Sequence, residues 1–266
     1  MKIFKNNSCP ITISYLNTIL FLSFVLATAL IFSCDDPPTE KEKNPEDTLF
    51  IPQPNFDFEK WTKKYNDKDE FMYEEPHGGF WTSLNRLRLL GGPVTTERTT
   101  DSYQGEYAAR LETKLFGSFI ITGLLLSGEF DPVKYSDKPN FVNEGQPFFE
   151  KVANFRGYYK YHGIDNDSAS IYIGLTKYNK QLNKKDTIAE ASKILSNSND
   201  YKMFDLKLNY YKDIQPDTIK IAIISSAGGR NFGDSTTARV GSVLFIDELS
   251  LELLSGKIIK IKTGDK

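Results

Sequence analysis

The chain has 266 residues, 39% hydrophobic and 26% charged, with a formal net charge of −2. That balance gives no electrostatic reason to expect a nucleic-acid binder, and the hydrophobic share excludes a wholly disordered chain. Two cysteines and two histidines exclude a disulfide framework and leave almost nothing for a zinc site or a Cys-His nucleophile pair.

The first 33 residues read as an address label. Lys2 and Lys5 precede an uncharged apolar run over residues 11–33, which ends in Ser33-Cys34. This is the layout of a secretory signal, and a small residue directly before a cysteine resembles a bacterial lipobox. The resemblance makes Cys34 the lipidated first residue of the mature chain. Its thiol is the side chain there nucleophilic enough to take a thioether-linked diacylglyceryl group. Acyl chains then hold the protein on a bacterial outer membrane, facing the cell surface or the periplasm. An ordinary membrane anchor is the alternative, since the run is long enough to span a bilayer. Residues 34–54 follow with six acids, two lysines and five prolines. Such a segment cannot bury enough apolar surface to offset chain entropy, and it reads as a semi-rigid tether.

Over residues 55–254 the pattern turns to strands. Residues 119–126 and 170–175 are apolar or β-branched runs of strand length, and residues 204–210 and 219–223 alternate apolar with polar. Residues 243–253 close the series. Gly91-Gly92-Pro93, Asp131-Pro132, Asp165-Asn166-Asp167, Gln215-Pro216-Asp217 and Gly228-Gly229 mark turns between them. Short strands separated by turns, with no βα alternation, predict an all-β antiparallel sandwich or barrel. Thr187-Ile188-Ala189-Glu190 has capping-box spacing, so the reading allows one short helix there. Residues 255–266 form a basic tail that frays.

Six motifs in this order carry a more specific likeness. They are Asn55-Phe56-Asp57-Phe58-Glu59-Lys60-Trp61, Gly79-Phe80-Trp81-Thr82-Ser83, residues 100–111 around Ser102-Tyr103-Gln104-Gly105-Glu106-Tyr107, Gly157-Tyr158-Tyr159-Lys160-Tyr161, Pro216-Asp217 before a strand ending Ser225-Ser226, and residues 241–253. Together they resemble the putative carbohydrate metabolism domain (PCMD) family of secreted bacterial lipoproteins, over essentially all of residues 55–253. The resemblance implies a jelly-roll β-sandwich similar to galactose-binding domains and carbohydrate-binding modules, and a link to polysaccharide utilisation. It implies no defined reaction.

The resemblance also implies a structural calcium between the first and last strands, with Glu59 and Asp247 as ligands and backbone carbonyls around Gln104-Gly105 completing the shell. A strict two-residue period places Asp247 among Val243, Phe245, Leu249, Leu251 and Leu253. A carboxylate there needs a partner. A cation, a Lys or Arg, or a set of backbone N–H groups each answers that need.

Sugar rings present apolar C–H faces on which flat aromatic side chains stack. Trp81, Tyr159 and Tyr161 are the expected platform, and Trp61 is assigned to the core; core packing is the competing use of any aromatic in a sandwich. His77 and His162 have no metal-ligand spacing. Two carboxylates at glycosidase separation cannot be selected from 35 acids. The leading expectation is therefore a non-catalytic, surface-anchored binder of oligo- or polysaccharide, working beside other polysaccharide-utilisation proteins. A carbohydrate-active hydrolase or lyase, with Arg156 as its nearest candidate, and a structural or adhesive module are the alternatives.

Overall fold

A computed structural model of the protein describes residues 54–130, 142–227 and 238–260. Contacts divide the chain into Met1–Leu49 and Phe50–Lys266; every described residue lies in the second unit. Cys34, the signal segment and most of the tether lie outside the described residues.

Among the described residues, β1 (Trp61–Tyr65), β2 (Phe71–Pro76) and β3 (Trp81–Ser83) lead into a 3-10 helix (Leu84–Leu90). Next come β4 (Thr96–Thr99), β5 (Ala108–Glu112), β6 (Lys114–Phe116), β7 (Phe119–Ile121) and β8 (Leu124–Phe130). Then follow β9 (Val142–Glu144), β10 (Gln146–Pro147), β11 (Val152–His162), β12 (Ala169–Asn179) and β13 (Lys184–Leu195). The chain continues through β14 (Ser198–Lys207), β15 (Asn209–Tyr210), β16 (Thr218–Ile224), β17 (Val243–Leu253) and β18 (Ile258–Ile259).

Among the described residues, β1-β2 and β6-β7 form two-stranded sheets, and the other fourteen strands build two large antiparallel ones. An eight-stranded sheet runs β15-β13-β12-β16-β8-β3, with β10 beside β16 and β9 beside β8. A six-stranded sheet runs β14-β11-β17-β5-β4, with β18 beside β17. Alternation explains the layering. In β16, Ile219, Ile221 and Ile223 are buried while the residues between them are half-exposed. They meet Ile171, Ile173 and Leu175 of β12 and, from the facing sheet, Phe155, Tyr159, Tyr161, Leu244, Ile246 and Phe204 in one core. The all-β jelly-roll sandwich expected from the sequence is the fold observed. The opening segment also lies beside the closing strand, since the Leu249 N–H donates to the Phe56 carbonyl at 2.9 Å.

Three local expectations need correction, each for a physical reason. Residues 187–195 are not helical; they belong to β13, paired along its length with β12. The register shifts beside Thr187, which leaves Ile188 and Ala189 both buried. This bulge breaks the strict alternation and produces the helix-like spacing. The described helix is instead Leu84–Leu90, capped by Ser83, whose side chain accepts from the Asn85 N–H, and ended by Gly91 at φ 82°. Residues 119–126 split between β7 and β8 at Gly123, where a Cβ would lie 2.5 Å from the Glu112 nitrogen.

The third correction concerns β17. Arg156 pairs with Ser250 while Tyr158 pairs with Asp247, so Gly157 faces two residues, Glu248 and Leu249. Glu248 takes φ 46°, the left-handed region. This bulge resets the pleat. Leu244 and Ile246 point inward before it, and Leu249, Leu251 and Leu253 after it. Phe245 and Asp247 therefore lie on the outer face, not in line with the later leucines.

Candidate saccharide-binding groove

The outer face of the six-stranded sheet is where the chemistry gathers. Along β11 the burial pattern alternates, with Phe155, Gly157, Tyr159 and Tyr161 inward and Asn154, Arg156, Tyr158, Lys160 and His162 outward. A Cβ on Gly157 would come within 2.5 Å of a Leu249 methyl and 2.8 Å of the Phe204 ring. The glycine thus lets the neighbouring strands close beneath Tyr158.

Residues 100–107, which join β4 to β5, fold over this outer face. The Tyr103 ring lies parallel to Tyr158, with centroids 3.6 Å apart and planes 10° from parallel, and Tyr201 tilts against it at 5.9 Å. The Tyr201 hydroxyl donates to the Asp101 carbonyl at 2.6 Å. Lys160 forms an ion pair with Asp101, and its ammonium sits 4.5 Å above the Phe245 ring. Beside the tyrosine stack lies a groove of about 220 Å³, lined by Tyr103, Gln104, Tyr158, Arg156, Met203 and Glu248 among others. Tyr103 is 44% exposed and Met203 57%, so the groove opens to solvent. Arg156 reaches Asp205 and Glu252, both at 2.7 Å. The Asp205 hydrogen bond, with help from Glu252, raises its already high pKa, which fixes the guanidinium as a charged wall.

The expected platform residues are not in this groove. Trp81 is 3% exposed and packs against Phe80 at 5.0 Å and against Phe56 and Phe58 at 6.1 Å. Tyr159 and Tyr161 are 7% and 0% exposed. All three are core residues and offer no solvent-facing ring. The outward aromatic of β11 is Tyr158, and its partner Tyr103 comes from a loop. Sequence reasoning had a signal for Tyr158, because Asn154, Arg156, Lys160 and His162 share its phase and would not face the core. It had none for the stacking of Tyr103, which depends on a loop contact distant in sequence. Trp61 is half-buried against the core and donates its indole N–H to the Phe58 carbonyl at 2.7 Å. His77 stands in an exposed pair with Thr62 at 2.9 Å, and His162 meets the edge of the Phe245 ring.

The three expected calcium ligands do converge on one loop, but with a different chemistry. Asp247 is fully buried. Its Oδ2 accepts the backbone N–H groups of Tyr103 at 2.8 Å and Gln104 at 3.1 Å, and its Oδ1 accepts that of Glu248 at 2.8 Å. Burial pushes its carboxyl up to about 7 against the pull of these donors. Glu59 accepts the N–H groups of Glu106 at 3.0 and 3.2 Å and of Tyr107 at 3.1 Å. A calcium shell needs oxygens turned toward one point. Here hydrogen-bond donors face the carboxylates, and the contact Gln104 makes with Asp247 is through its N–H. This donor set does not fit calcium. Among the described residues, no three His, Cys, Asp or Glu side chains gather in a metal-binding group.

The family described as "Putative carbohydrate metabolism domain" (PCMD) matches residues 57–252. Among solved structures, the chain is similar to one titled "a putative glycoside hydrolase" from Bacteroides vulgatus ATCC 8482. The two are 20% identical, with a TM-score of 0.59 over 74% of this chain and 97% of that one. A second structure with the same description, from Bacteroides thetaiotaomicron VPI-5482, is 19% identical, with a TM-score of 0.58 over 78% of this chain and 71% of that one. A looser likeness, at TM-score 0.32 and 10% identity, covers 80% of this chain and 97% of a carbohydrate-binding module in complex with beta-1,4-galactotriose. No curated protein matches the chain.

Proposed function

Since the chain belongs to the PCMD family and so carries a carbohydrate-related domain, we propose that it is a non-catalytic, lipid-anchored binder of oligo- or polysaccharide. In this reading the ligand lies in the groove beside Tyr103 and Tyr158. The observation that carries it is the parallel tyrosine stack at 3.6 Å, solvent-open on the Tyr103 side and flanked by Gln104, Arg156, Glu248 and Ser250. Such a surface combines a flat ring for sugar C–H groups with polar side chains for hydroxyls, the usual division of labour in a small-ligand site. The lipid on Cys34 and the tether after it would hold many copies on one outer-membrane surface. Weak single-site affinity would then suffice through avidity, and captured glycan would pass to other polysaccharide-utilisation proteins.

The test is a glycan array probed with the soluble domain from residue 55 onward, followed by a reducing-sugar assay on each hit. Binding without product, lost in Tyr158→Ala, is the expected result. Release of reducing ends would replace capture with catalysis, the activity named for the two similar Bacteroides structures. Mass spectrometry of the membrane-extracted protein tests the anchor: a diacylglyceryl mass on a chain beginning at Cys34 is expected, and a chain beginning at Met1 would remove it.

A further inference from the structure

The segment Ser102-Tyr103-Gln104-Gly105-Glu106-Tyr107 contributes no buried side chain. An exposed loop of this kind ordinarily leaves its backbone donors to water. Here four of them, at Tyr103, Gln104, Glu106 and Tyr107, end on two carboxylates remote in sequence. One carboxylate comes from the closing strand and the other from the opening segment, so the loop is gripped from both ends. Gly105 sits between the two grips at φ 78°, where an added Cβ would lie 2.1 Å from Glu59 Oε1. Only glycine combines that conformation with that approach. The grip on Tyr103 and Gln104 acts directly on two residues that line the groove.

We infer that Asp247 and Glu59 are positioning residues that preset Tyr103 against Tyr158 and Gln104 beside it, using backbone N–H groups where a cation would otherwise tie the loop. The inference deepens the glycan-binding reading and rests on it for the ligand alone. Where these carboxylates are ionised, their hydrogen bonds are shorter and stronger than neutral ones. A loop ordered by them during folding need not be ordered again when the ligand arrives.

The test uses Glu59→Gln, with Asp247→Asn as its counterpart at the other end. In Glu59→Gln, amide exchange at Glu106 and Tyr107 should speed up about tenfold or more, while β11 and β17 amides keep their protection. The ring-proton shifts of Tyr103 and Tyr158 should move toward unstacked values. Affinity for the strongest array hit should fall by about tenfold, the scale of re-ordering one loop side chain. Asp247→Asn alters a fully buried group and risks misfolding, so half-buried Glu59 decides the matter without it. Unchanged amides and ring shifts in a folded Glu59→Gln variant overturn the positioning role. Slower exchange of the same wild-type amides on adding calcium chloride overturns the cation-free grip. If the array returns no glycan for the wild type, the groove loses its ligand, while exchange and ring shifts still decide whether the two carboxylates set the loop.

Discussion

Tyr158 and Tyr159 are chain neighbours with opposite fates. Tyr159, with Tyr161 two residues on, fills the core between the sheets, whereas Tyr158 stacks on Tyr103 at the solvent-facing groove. The same side-chain type fills the core on one face of β11 and lines a solvent-open groove on the other. What separates them is the pleat, together with what each face meets. The inner face meets Phe204 and Leu249; the outer face meets a loop tied to Asp247 and Glu59.

The sharpest way to break this comparison is to truncate one tyrosine from each face. Tyr161→Ala should lower unfolding stability by about 3–5 kcal/mol, as for other large aromatic core deletions. Tyr158→Ala should cost less than about 1 kcal/mol yet abolish glycan binding. Urea unfolding and binding assays on both variants check the crossing. If Tyr158→Ala were as unstable as Tyr161→Ala, the two faces would not differ as argued.

Gly105→Ala should come next, at roughly 1–3 kcal/mol, because it forces a side chain into positive φ against Glu59. Its loss should show as faster exchange confined to the 100–107 loop rather than as global unfolding. Tyr103→Ala should leave the melting midpoint within the range of ordinary surface substitutions and weaken binding by roughly tenfold, which isothermal titration would read.

The smallest expected effect lies away from the groove and calibrates it. Glu75 of β2 is largely buried near Lys64 and hydrogen-bonded by Ser83. Burial raises its pKa above the ordinary 4.5 despite Lys64 and Arg86. Between the ordinary and the raised value the folded form keeps a proton that the unfolded form has lost. Its contribution is therefore full below the ordinary value and is lost as pH rises through the raised one. Melting curves of wild type and Glu75→Gln should nearly coincide in mild acid. The variant should melt increasingly higher toward neutral pH, and a gap of the opposite sign would show that the ion pair outweighs burial.

Much of the fold was legible because alternation is local. Ile219, Lys220 and Ile221 disclose a strand without reference to anything else, and residues 243–253 coincide with β17. The site was less legible because its geometry is not local. Bulges at Ile188 and at Glu248 shift the pleat, and neither carries a glycine to mark it. The first made a strand resemble a helix, and the second placed Asp247 on the face opposite the later leucines. Tyr159 and Tyr161 lie in the core while Tyr158 faces outward, and there the polar and charged neighbours of Tyr158 already indicate its side. The grip of Asp247 on Tyr103 joins residues 144 apart in sequence, a separation that no pattern along the chain encodes.

The bulge in β17 works like one extra letter in a message read in pairs. Removing Glu248 would restore plain alternation, with Leu244, Ile246, Leu249, Leu251 and Leu253 still inward, and would cost only the bulge and its N–H contact to Asp247. Single-codon deletion should therefore be better tolerated at Glu248 than elsewhere in this strand, where a missing residue moves the later leucines to the other face.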